Sequence, residues 1–185
     1  MDYNSFYSKL FAPLETSIGA IDADTITAVI GFDAGGPPSF CTIGYDSTHP
    51  IKTYVTCELA VRAEQRPSHS GRYELLISCD DERWVRTVIT DVARMACDVS
   101  FGDGHTLDIG PWVSDDARIQ GVVFEGLYES LIDGVRYCVL RVIGVTRLEL
   151  EFARETGVQQ LFSKLKSGGV YPNTLVRRES VIGIR

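Results

Sequence analysis

What the chain lacks narrows it first. None of its 185 residues lies in an apolar run long enough to cross a membrane, since a spanning helix needs roughly 20 such residues. The start, MDYNSFYSKLFAPLE, has no positive cluster ahead of an apolar segment, so neither a signal peptide nor a lipidation signal is expected. No stretch has the composition of a flexible linker, and there is no repeat or low-complexity tract, so one domain over 1–185 is expected. There is no CxxC and no HxxxH, the spacings that hold zinc. Basic charge is also short: 18 Lys and Arg against 25 Asp and Glu leave a net charge of −7. That balance argues against a nucleic-acid binder, which needs clustered cations for the phosphates.

What is present belongs to a globular domain. Apolar residues make up 44 % and charged residues 23 %, the ordinary proportions of a chain with a buried core. The cysteines, Cys41, Cys57, Cys79, Cys97 and Cys138, are odd in number and widely spaced among apolar neighbours. Such cysteines behave as small buried hydrophobes in a reducing compartment, so a cytoplasmic location is expected.

Periodicity divides the chain into alternating helical and extended stretches. Phe6, Leu10 and Leu14 recur at i, i+4, i+8 and predict a helix over 4–14 that stops near Pro13. Residues 25–32 and 40–44 read as strands around the breaker run Gly35-Gly36-Pro37-Pro38. From Lys52 to Ala63, Val55, Cys57, Leu59 and Val61 alternate with other residues as a half-buried strand would, and 72–79 resumes as its antiparallel partner. Asp80 or Asp81 can cap a helix through Val85, Val88, Ile89, Val92 and Met95. Short strand material follows at 106–109. Residues 121–128 and 135–145 are two more strands, with 130–134 between them and the second apolar enough to be central. Thr146 and Glu149 have capping-box spacing, Gly157 is a stop, and 160–166 continues helically. Residues 172–185 read as a polar tail outside a core of about 24–168, with Arg177-Arg178-Glu179 solvated.

No reactive constellation assembles from these pieces. His49, His69 and His105 lie in polar loops away from most of the cysteines. Asp103, His105 and Asp108 straddle a glycine turn, and Asp80-Asp81-Glu82 is explained by its place at a helix start. Gly35-Gly36 lacks the lysine and following helix of a phosphate loop. No catalytic residue, metal or cofactor is therefore expected.

Four pieces in order carry a resemblance: Thr42-Ile43-Gly44 with Glu58 shortly after, Arg72-Tyr73-Glu74-Leu75-Leu76-Ile77, the helix with Trp84, and Ile143-Gly144-Val145-Thr146 leading through Leu148-Glu149 to Gly157, Leu161 and Leu165. Over roughly 38–168 they resemble the suppressor-of-fused family. The resemblance implies an α/β (α+β) fold, a mixed and largely antiparallel sheet flanked by helices. It implies a protein-binding module rather than an enzyme, and for a stand-alone bacterial member an immunity protein that neutralises a cognate toxin. Asp115, Asp116, Glu125 and Glu129 are the acidic residues expected to steer a basic partner. The alternatives are an enzyme with a pocket of acidic residues and one of the three histidines, and a regulatory domain that homodimerises through a strand edge.

Overall fold

Alternation along one strand sorts the core. In β4 (Arg72–Cys79), Tyr73, Leu75, Ile77 and Cys79 project to one face of the sheet and Glu74 and Leu76 to the other, and all six are buried. A strand buried on both sides must lie inside a layered structure. The computed structural model describes residues 3–27, 38–44, 46, 48–113 and 117–183. The other strands are β1 (Ile21–Thr27), β2 (Phe40–Ile43), β3 (Lys52–Thr56), β5 (Thr106–Asp108), β6 (Ile119–Ile132) and β7 (Val135–Thr146). They form one seven-stranded sheet in the order β1-β2-β3-β4-β7-β6-β5. Every pairing is antiparallel except β4 with β7, where Arg72 faces Tyr137 and Leu76 faces Arg141. The fold is thus the mixed, mainly antiparallel α/β sheet that the resemblance implies.

Helices cover both faces. Helix α2 (Glu82–Met95) lays Val85, Val88, Ile89 and Val92 against the Tyr73 side, each such side chain contributing about 1.5–3 kcal/mol of burial. Asp81 starts it by accepting from the Arg83 and Trp84 amides. On the other face α1 (Tyr3–Ser17) packs Phe6, Leu10, Phe11 and Leu14 over Leu76 and Val139. Beside it, α3 (Arg147–Thr156) and α4 (Val158–Ser167) cover Val123, Ile143 and Val145.

Three expectations change. Helix α1 runs through Pro13, because the proline lies on the exposed side and Leu14 still reaches the core. The strand expected over 52–63 ends at Thr56: the Leu59 and Ala60 amides, which a longer ladder would use, donate to the Glu74 carboxylate at 3.2 and 2.8 Å. The segment after α4 is not a solvated tail. Thr174 is fully buried, donates its amide to Ser78 O and accepts the Gly144 amide on its hydroxyl at 2.8 Å.

Gly71, at φ +108°, immediately precedes β4, where a Cβ would collide with the Arg136 carbonyl. Gly71→Ala is expected to lower stability by roughly 2–3 kcal/mol in urea unfolding. A change near zero would show that the β4–β7 junction is slack.

Candidate docking site at the open edge of the sheet

A length mismatch creates the site. Strand β6 spans 14 residues, whereas its outer neighbour β5 spans three and pairs only with Gly121, Val122 and Val123. Loop groups then take over the outer edge: the Phe124 amide donates to His105 O, the Gly104 amide to Phe124 O, and the Gly126 amide to Asp103 Oδ1, each at 2.9 Å. At the next step the register with β7 shifts, because Gly126 faces Leu140 and Tyr128 faces Val139, leaving Leu127 as a bulge. From Leu127 to Ile132, β6 pairs among the described residues with β7 alone. Six residues of strand present an edge of roughly 20 Å.

Beside this edge lies a cleft of about 320 Å³ lined by His69, Ser70, Asp103, Tyr128, Glu129 and Cys138 among others. Of its lining residues, Tyr128 is held by donating to the Leu10 carbonyl at 2.8 Å. Burial pushes the Cys138 thiol up to about 11, and Ser68 Oγ lies 3.9 Å from its sulfur. Among the described residues the strand thus carries an unpaired backbone edge with Glu129 on it, and loops place the Asp103 carboxylate and the His69 imidazole next to it.

The acidic residues singled out in the sequence separate. Glu129 is exposed in the cleft with Asp103 and His69. Glu125 lies on the α3–α4 face, where it pairs with Arg141 at 2.8 Å and accepts from Tyr171 Oη at 2.6 Å. Asp115 and Asp116 lie outside the described residues. Of the histidines, His69 lines the cleft and His105 supplies a backbone carbonyl to the edge, while His49 belongs to the β2–β3 connection. All three side chains are exposed. Asp103 and Asp108 diverge, Asp103 holding the Gly126 amide and Asp108 the Arg147 guanidinium. In the Asp80–Glu82 cluster, Asp81 caps α2, Glu82 pairs with Arg86 at 2.6 Å and Asp80 accepts the Val176 amide.

The sequence reading missed Asp103 as an edge-capping residue, and it missed the length of β6. Asp133 and Gly134, both with positive φ, close a two-residue hairpin that extends β6 to Ile132. An Asp-Gly pair between apolar runs is the local signal for such a turn.

The Glu149 carboxylate is a second constellation, and a structural one. It accepts both Arg178 Nη1 and Nη2 at 2.6 Å, the Val181 amide at 2.8 Å and the Thr146 amide at 2.8 Å. Burial alone would raise its carboxyl, but the Arg178 guanidinium outweighs it and holds the group below the usual carboxylate range. Arg178, expected in solvent, is therefore the buried clamp on the segment after α4. Glu149 needs its charge matched, and among the described residues it is this segment's Arg178 that brings a guanidinium to it.

One mixed sheet with helical layers on both faces, and a length of β6 with no outer neighbour among the described residues, defines an α/β scaffold able to take an added strand. The profile of the Suppressor of fused protein (SUFU) family matches residues 38–179, and the chain belongs to that family. Solved structures agree at the level of the fold. A chain of the Sufu–Fu complex is similar with TM-score 0.69 and 14 % identity, over 97 % of this chain and 91 % of that one. The SUFU homolog from Neisseria gonorrhoeae is similar with TM-score 0.64 and 21 % identity over the whole of both chains. Drosophila Suppressor of Fused is similar with TM-score 0.60 and 16 % identity, this chain covering 46 % of its length. No curated protein matches the sequence.

Proposed function

We propose that the chain acts as one domain that binds a protein partner by taking an extended segment onto the open edge of β6, and that it serves in the cytoplasm as an immunity protein against a cognate bacterial toxin. The observation that carries the binding reading is the length Leu127–Ile132 beside the cleft, which has no outer strand partner among the described residues. A strand edge offers main-chain hydrogen bonds for affinity, and neighbouring pockets select side chains. Family membership supports it, and the similar fold in the Sufu–Fu complex is one seen bound to another protein. Asp103 and Glu129 at the edge, with a net charge of −7, favour a basic partner. Glu129 carries most of the steering in this reading, since Glu125 is engaged by Arg141.

The enzyme reading finds its best support in His69 beside Cys138. A thiol held at about 11 is protonated at neutral pH, however, and the thiolate is the nucleophile. The homodimer reading would place a second copy on the same edge.

Co-purification of the tagged chain from its native cell, with mass spectrometry of what remains bound, tests the proposal. A stoichiometric basic partner is expected. Its affinity should fall about tenfold or more with Glu129→Lys, with an unchanged melting temperature because Glu129 is exposed. Added salt should slow its association. A partner-free monomer would overturn the binding reading, and a self-associated dimer would put the second copy in the partner's place.

A further inference from the structure

A second groove lies away from the β6 edge. It encloses about 520 Å³ between α3, α4 and the segment after α4, and is lined by Leu148, Glu151, Phe152, Glu155, Lys164 and Val181 among others. Its walls are set before any ligand arrives. Val181 is tied through its amide to Glu149 Oε1, and its side chain packs so closely on Gly168 that a Cβ there would lie 2.6 Å from Val181 Cγ1. The clamp by which Arg178 holds Glu149 thus also fixes one side of the groove.

The chemistry of the lining is two-sided. Leu148 and Phe152 stand one helical turn apart and form an apolar stripe, with Leu148 39 % exposed. Glu151 and Glu155, also one turn apart, form a parallel acidic stripe, both exposed and neither ion-paired among the described residues. Lys164 alone stands on the opposite rim. Stripes repeating at i and i+4 match the side-chain rows of another helix, which packs its own i, i+4 ridge between them.

We infer that this groove docks a helical segment of the protein partner that carries an apolar stripe flanked by Lys or Arg. The inference rests on the binding-module reading and adds to it a second contact of defined chemistry. The apolar stripe supplies the hydrophobic contact, and the Glu151–Glu155 row supplies selection by charge.

The groove is tested without the natural partner. A fluorescent amphipathic peptide of leucine and lysine is titrated onto the full chain, with a leucine–glutamate peptide of the same pattern as the control. The lysine peptide should raise the anisotropy and the glutamate peptide should not. The Glu151→Lys/Glu155→Lys variant should weaken lysine-peptide binding about tenfold or more. Both altered positions are exposed, and a thermal melt confirms that the variant is folded. Equal binding of the two peptides, or unaltered binding by the double variant, overturns the groove. If the captured partner binds that variant as tightly as the wild type, the groove falls and the β6 edge stands. If the peptides discriminate as expected while no partner is captured, the groove stands and the reading of function falls.

Discussion

Raising the pH from about 5 to 8 is expected to lower the melting temperature, and one side chain is the cause. Glu74 is fully buried on β4, and its hydrogen-bond partners are Tyr7 Oη, Thr56 Oγ1 and the Leu59 and Ala60 amides, with no cation among them. Burial pushes its carboxyl from 4.5 up to about 7, against the pull of those four donors. A group whose pKa rises on folding adds stability that is fully present below its unfolded value and is lost as the pH passes its folded one. The window therefore opens near 4.5 and closes above 7. A shift of this size corresponds to roughly 3 kcal/mol, or about 6–12 °C in a domain of this length. Glu149 does not oppose this, because a depressed carboxyl acts only at lower pH.

Glu74→Gln is expected to flatten the profile. It also starts lower at pH 5, because one amide N–H₂ must face the Leu59 or Ala60 N–H. Calorimetric melts across the pH series decide the matter. A wild-type profile flat between 5 and 8, or a slope that survives in Glu74→Gln, would remove Glu74 as the cause.

Arg178→Met is expected to cost about 3–5 kcal/mol in urea unfolding at pH 7, since breaking a buried pair leaves its partner's charge uncompensated. The pair is dry, with side-chain exposures of 6 % for Arg178 and 0 % for Glu149. Adding Glu149→Gln to Arg178→Met should recover part of the loss, because a neutral amide buries no charge, although its single oxygen accepts only one of the Val181 and Thr146 amides, which use different oxygens of Glu149. A loss within about 1 kcal/mol for Arg178→Met would mean the pair contributes no more than a surface one.

The two halves of that clamp differed in how far they could be read in advance. Thr146 and Glu149 are three residues apart, so their capping box is visible as local spacing, and it is present. Arg178 meets Glu149 across 29 residues of chain, and an arginine in a polar stretch carries no local mark of burial. The expected strand over 52–63 failed for a related reason. Alternation from Val55 to Val61 is real, yet Glu74 competes for the amides that would have continued the ladder. The ordered pieces of the family resemblance are packing and turn signals spread along the chain, which is why they identified the fold over nearly the span that the profile matches. The docking edge was out of reach, because it arises from the difference in length between β5 and β6. Within it, Glu129 was legible as an exposed acid, while its neighbours Asp103 and His69 come from loops far apart in sequence.

Thr174 has a further implication for how the protein is made. It sits where β4 and β7 part, bridging Cys79 in parallel and taking the Gly144 amide on its hydroxyl. A ribosome delivers β4, β7 and α4 before it delivers this residue, so the sheet can assemble most of its strands while one seam stays unsealed. During that interval Ser78 and Gly144 hold unmatched backbone groups.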